Sequence, residues 1–116
     1  TFRNHFPASL SPGDAIAFVA DDPDQMFVAQ QDSVSSNLVA ADLNLNANLV
    51  FGAGSTTTGN SGVEIDSSTG ATTATHQVRL IAFYDTPSND ATANNSNLVI
   101  KINNHSLGSH TGTVGV

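Results

Sequence analysis

The sequence predicts an all-β domain, an antiparallel β-sandwich or barrel with long Gly/Ser/Thr-rich loops and extended terminal arms, on three observations. Several short stretches alternate apolar and polar residues or are rich in β-branched and aromatic ones, the pattern of strands with a buried face. Between them lie clusters of Gly, Ser, Thr, Asn and Pro, which interrupt strands and form turns. No stretch holds an apolar period of 3.6 long enough for a convincing helix, and short strands with polar turns fit a sandwich or barrel.

Taken in order, residues 14–31 read as a β-hairpin. In Asp14-Ala15-Ile16-Ala17-Phe18-Val19 the alternation puts Ile16 and Phe18 on one face, and Gln25-Met26-Phe27-Val28-Ala29-Gln30 follows. Asp21-Asp22-Pro23-Asp24 lies between them. Pro23 fixes φ there, and the Asp side chains can accept from nearby backbone N–H groups, so this is a turn. Residues 38–51 carry Leu38, Ala41, Leu45 and Leu49 at roughly helical spacing, but Asn44, Asn46 and Asn48 disfavour a helix. A short turn followed by a strand at about residues 47–51 is expected instead.

Residues 52–75 are dominated by Gly, Ser and Thr around one apolar island, Val63-Glu64-Ile65. A structureless loop of that length is uncommon inside a compact domain. The expectation is a looped excursion with a short strand at the island, Val63 and Ile65 inward and Glu64 outward. The strongest strand is 76–84, with Val78, Leu80 and Ala82 on one face and Arg79, Ile81 and Phe83 on the other. Both faces are largely apolar, as in a strand covered on both sides. A polar connection over 85–97 contains Pro87, and the last strand covers 98–103 with Leu98, Ile100 and Ile102 inward. The predicted core is Ile16, Phe18, Phe27, Val63, Ile65, Leu80, Ile100 and Ile102.

The domain is therefore placed at residues 14–105, with an N-terminal arm at 1–13 and a C-terminal arm at 106–116. Phe2 and Phe6 on the first arm are the candidate protein-contact residues. Burying such a side chain in a neighbour's pocket is worth about 1.5–3 kcal/mol. The alternative, that they dock on this domain's own core, stands beside it because chain ends are often tied down that way.

Composition narrows the function classes. The chain of 116 residues carries ten acids against three bases, a net charge of −7, and Arg3, Arg79 and Lys101 are scattered singly. Nucleic-acid binding needs a basic stripe that this chain lacks, and an anionic membrane would repel it. Only 11% of residues are charged, which argues against a disordered chain and suits a surface of hydroxyls and amides. Cysteine is absent, so neither disulfides nor thiolate metal sites arise. No apolar run approaches the roughly 20 residues that span a bilayer, and no signal-peptide pattern is present. The sequence opens on Thr1 rather than Met, which leaves open a natural start upstream.

No constellation points to catalysis, a metal or a cofactor. His5, His76, His105 and His110 lack zinc spacing, and ordinary hydrogen-bonded or surface histidines are the simpler reading. Asp21, Asp22 and Asp24 recur as in a calcium loop, but the central Gly and closing Glu are missing, so a solvated turn is favoured over weak calcium binding. Gly52-Ala53-Gly54-Ser55-Thr56-Thr57-Thr58-Gly59 lacks the Lys of a phosphate-binding loop. Nothing resembles a nucleophile elbow. Glu64 and Asp66 read as an exposed edge rather than half of a glycosidase pair.

Three segments carry a resemblance: Val19-Ala20-Asp21-Asp22-Pro23-Asp24-Gln25-Met26-Phe27; Gly54-Ser55-Thr56-Thr57-Thr58-Gly59-Asn60-Ser61-Gly62-Val63-Glu64-Ile65-Asp66, continuing into Thr72-Thr73-Ala74-Thr75; and Asn97-Leu98-Val99-Ile100-Lys101-Ile102-Asn103-Asn104-His105. In this order and spacing the chain resembles small structural proteins of tailed bacteriophages, marine and cyanobacterial ones included, of the capsid cement or decoration type. The resemblance covers most of residues 14–105, and the Ser-Thr-Thr-Thr-Gly run is its most distinctive part. Pro87-Ser88-Asn89-Asp90 departs from the family's more compact turn, and the family's upstream β-rich portion is missing. The resemblance implies a virion protein on the outer capsid surface and no catalytic residues. The expected partners are the major capsid protein and further copies of this chain. A carbohydrate- or cell-surface-binding β-module of a fibre or adhesin is the alternative. The lack of Trp and the single Tyr weigh against it, since such modules stack aromatic rings on sugars.

Overall fold

The computed structural model of the chain describes residues 4–6, 8–11 and 13–116. Six strands form in chain order: β1 (Met26–Gln30), β2 (Asn46–Ala47), β3 (Leu49–Gly52), β4 (Gly62–Ile65), β5 (Val78–Phe83) and β6 (Asn97–Ile102). Two single 3-10 turns, Ala40–Asp42 and Ser67–Thr69, are the helical elements among the described residues. The fold is all-β with antiparallel sheets, as the alternation predicts. No helix among the described residues is long and apolar enough to cross a membrane.

One sheet runs β1-β6-β5-β2 and a second pairs β3 with β4. The chain passes from the first sheet to the second at Asn48, between β2 and β3. A parallel bridge from Gln31 to Ile65 ties the end of β1 to β4, so the sheets meet at two places. The core lies between them: Leu38, Ala47, Ile65, Val78, Leu80, Leu98 and Ile100 are buried, with Ala29, Leu43, Leu49 and Phe83 packed against them. Leu38 enters from outside any strand, because the Ala40–Asp42 turn swings the chain back over the sheet.

Polar residues lock this core at its rim. Gln31 is fully buried; its Nε2 donates to the Ser96 hydroxyl and its Oε1 accepts from the Leu38 N–H at 2.7 Å. The Asp32 carboxylate accepts from both the N–H and the hydroxyl of Ser67, at 3.1 and 2.8 Å. Among the described residues no buried side-chain N or O lacks a partner, as a buried polar network requires.

Several expectations are corrected. Residues 14–19 form no strand, so the hairpin over 14–31 is reduced to its second half, β1. Ile16 and Phe18, placed in the core by alternation, are each 85% exposed, and Phe27 is 36% exposed. The turn is the cause. Gln25 N–H donates to the Asp22 carbonyl at 3.0 Å, closing a two-residue turn over Pro23 and Asp24. Neither residue is at positive φ. Tight hairpins favour turns with positive φ, whose twist matches the strands; a turn with negative φ at both positions splays them. Pro23 is confined to negative φ, so the preceding segment diverges from β1.

The alternation expected along 76–84 also breaks. Between Leu80 and Ala82 the register with β6 shifts at a β-bulge. Leu80 opposes Ile100 and Phe83 opposes Leu98, which places Phe83 on the core side and Ala82, opposite Val99, on the outer side. Val63 and Ile102 are half-buried, whereas Ile65, Leu80 and Ile100 lie in the core as expected.

Candidate functional site

Two features could offer contacts to another chain. The first is the edge of β1. The Gln31 N–H donates to the Ser96 carbonyl at 3.1 Å, which fixes the hydrogen-bonding phase of the β1–β6 ladder. In an antiparallel pair bonded and non-bonded residues alternate, so Ala29 and Phe27 direct their backbone groups to β6. Met26, Val28 and Gln30 therefore direct theirs away from the sheet. The Met26 carbonyl accepts from the Gln25 side chain at 2.9 Å. The neighbouring phase on the same edge, Asp32, donates to the Ile65 carbonyl at 2.9 Å, and there the edge is covered by β4. Val28 thus faces outward without a ladder partner among the described residues, whereas the Gln30 end of the edge meets β4 through the Gln31–Ile65 bridge.

The second feature is residues 15–20. They lie in no strand among the described residues, and Ile16 and Val19 stand exposed in a run without charge, Ala15-Ile16-Ala17-Phe18-Val19-Ala20. Natural edge strands are blunted by Lys, Pro or charge, and β1 has none of these between Met26 and Gln30. Across the outer face of the sheet, Val28, Val99 and Ala82 line up in register as an apolar row, with Val28 50% exposed.

Of the two arm residues singled out from sequence, Phe6 is 67% exposed, and Phe2 lies outside the described residues. The C-terminal segment is extended, but its last residues are tied to this domain. The Arg79 guanidinium donates to the carbonyls of Thr113 and Val114 at 3.1 and 2.6 Å. Gly115 N–H donates to the Thr72 carbonyl, and Val116 N–H to that of Asn44. The β1 edge was not foreseen as a site; its signal in the sequence is Pro23 in the turn, which forbids the pairing that the alternation on either side suggests.

The charged groups are committed locally. Lys101 pairs with Asp24 at 2.8 Å, and this hydrogen bond and charge hold the Asp24 carboxyl below its ordinary value. Asp22 accepts from the Asp24 N–H at 2.8 Å within the same turn. The Asp90 carboxyl is held low by the hydroxyl and N–H of Thr92. His5 and His105 each bond within two residues, and His76 lies 3.4 Å from the Asn46 carbonyl. No three His, Asp or Glu residues cluster as metal ligands among the described residues. A shallow cleft of about 310 Å³ opens between Pro23, Asp24, Arg79, Lys101, His105 and Thr113. Its two cations already hold Asp24 and the C-terminal carbonyls, so the cleft offers no spare charge.

The loop at 52–59 follows β3 and is turned back by its own bonds, Ser55 N–H to the Asn60 carbonyl and Gly59 N–H to the Ser55 carbonyl. It joins β3 to β4 as a hairpin connection. Asp66 accepts from the N–H and hydroxyl of Ser68 and so caps the second 3-10 turn. Comparison of the chain with protein-family models, curated proteins and solved structures finds no match.

Proposed function

We propose that this chain is a virion structural protein, a capsid cement or decoration protein of a tailed phage, which binds the outer capsid surface and bridges neighbouring capsomers. The observation that carries the reading is the outer edge of β1 at Val28, which pairs with no strand among the described residues. An exposed edge gains main-chain hydrogen bonds when a neighbour's extended backbone lies along it. A lattice multiplies such weak contacts into firm attachment. The resemblance of residues 54–66 and 97–105 to phage decoration proteins supports the same reading.

The test is stoichiometry. In purified particles of a phage encoding this chain, quantitative mass spectrometry should find it abundant, at a copy number comparable with the major capsid protein. Antibody labelling should place it on the shell exterior. A few copies confined to fibres would favour the adhesin alternative, and absence from the particles would end the proposal.

A further inference from the structure

We propose that the seat of residues 113–116, walled by residues 44–46 and 71–74, is a peptide-binding site that reads a Thr-x-Gly segment, with Thr113-Val114-Gly115 of this chain as its resident ligand. The proposal stands apart from the particle reading.

The seat is held in shape by contacts that do not involve its occupant. Asn46 is fully buried; its Nδ2 donates to the Thr73 carbonyl at 3.0 Å, and its Oδ1 accepts from Arg79 Nε at 3.2 Å, which aims the guanidinium. Asn103, also buried, spends its Nδ2 on the carbonyls of Ala74 and His76, and this turns its Oδ1 toward the segment. Three polar side chains from β2, β5 and the end of β6 are thus fixed by the body of the domain. A preorganised site of this kind loses little entropy when it binds.

Most of what it contacts is main chain. The Thr113 carbonyl accepts from Asn46 Nδ2 at 2.7 Å and from Arg79 Nη2 at 3.1 Å, and the Val114 carbonyl accepts from the same Nη2 at 2.6 Å. The Gly115 and Val116 N–H groups donate to the carbonyls of Thr72 and Asn44, one on each wall, both at 3.0 Å. Two positions are read by side chain or space. The Thr113 hydroxyl lies 3.0 Å from Arg79 Nη2 and 3.1 Å from Asn103 Oδ1. Gly115 is buried, and a Cβ there would stand 3.1–3.2 Å from Leu45 Cα and the carbonyl oxygens of Ala71 and Asn44, backbone atoms that cannot swing aside. Val114 and Val116 are 62% and 88% exposed, so neither side chain is read. Main-chain bonds supply affinity and the two read positions supply selectivity.

The resident is also detachable. Neither of its valines is anchored in the core. The residues before it fold back on themselves in two turns, closed by the Gly108 N–H on the His105 carbonyl and the Gly112 N–H on that of Ser109.

The experiment vacates the seat in the full chain with Gly115→Val and adds a labelled peptide of residues 111–116, blocked at both ends, followed by fluorescence anisotropy. The vacated chain should bind it at least about tenfold more tightly than the wild type, whose own segment competes at high effective concentration. Peptides with Ala for the Gly at position 115, or Val for the Thr at position 113, should bind the vacated chain at least about tenfold more weakly. No binding to the vacated chain, equal binding to the wild type, or binding blind to that Thr and Gly would each overturn the site. If Gly115→Val does not fold, Gly115→Ala and Val114→Ala take its place. Gly115→Ala should lower the melting temperature and speed exchange of the Val116 amide, and added peptide should restore the former; Val114→Ala should change neither. Equal losses from the two variants, or no recovery with peptide, would overturn the site as surely.

Discussion

Leu80 and Ile16 are near-isosteric, and both sit in alternating apolar stretches, yet they face opposite fates. Leu80 is buried where β5 meets β6 opposite Ile100, and Ile16 protrudes from a segment outside the strands among the described residues. Truncating each to Ala separates them. Leu80→Ala should lower stability by about 2–5 kcal/mol, the transfer loss plus the cavity left behind. Ile16→Ala should change the isolated domain by less than about 0.5 kcal/mol. Equilibrium urea denaturation measures both, and comparable losses would show that Ile16 belongs to the core after all. Asp32 is informative in another way. Partial burial pushes its carboxyl up, but the N–H and hydroxyl of Ser67 and the N–H of Val34 outweigh that and hold it below its ordinary value. A carboxyl depressed in the folded state stabilises above its unfolded pKa, and that contribution is lost as pH falls through the folded value. The clamp between residues 32 and 67 should therefore operate at neutral pH and fade below about pH 4. The stability difference between wild type and Asp32→Asn should shrink across that window, and a difference that stays constant down to about pH 2 would remove the clamp.

At the level of elements, Asn103 joins three pieces of chain just past the end of β6. Its Nδ2 donates to the carbonyls of Ala74 and His76 at 2.8 and 3.0 Å, and its Oδ1 accepts from the N–H and hydroxyl of Thr113. Every polar atom of the amide is used. Asn103→Ala should cost about 1–3 kcal/mol, since it strands these carbonyls and the Thr113 N–H. It should also release residues 112–116, read as faster amide exchange at Gly115 and Val116. Gly112, at φ 75°, belongs to the same junction; a Cβ there would run into the Ala74 carbonyl oxygen and the Asn103 side chain. The Gly and Ser content of the C-terminal segment reads as an extended arm; Arg79 and Asn103, distant in sequence, supply partners for residues 113 and 114, which composition does not show. Strands β4, β5 and β6 were legible because their alternation is dictated by one buried face. The strand expected at residues 14–19 failed because alternation reports only that a segment can pair, while Pro23 determines with what. The bulge at Ile81 was hidden for a similar reason: it is set by register between strands, which no single stretch encodes. The contact surface was legible only in part. Phe6 is exposed as a contact residue must be, but the edge of β1 emerges from pairing phase.

Considered as a whole, the molecule is drawn out. Its radius of gyration of 15.5 Å exceeds the roughly 13 Å of a compact chain of this length. The passage at Asn48 and the bridge at Gln31 mean that neither sheet owns all its strands. β2 and β3 are successive parts of one short run of chain, and β1 is fastened at once to β6 and to β4. Loss of the small β3–β4 sheet would strip Ile65 from the larger sheet's core and leave the Gln31 end of β1 open. Loss of β1 would in turn undock Ile65. Neither half has a stable life without the other, so the described strands should melt as one cooperative unit, with no half-folded form of appreciable population between native and unfolded chain.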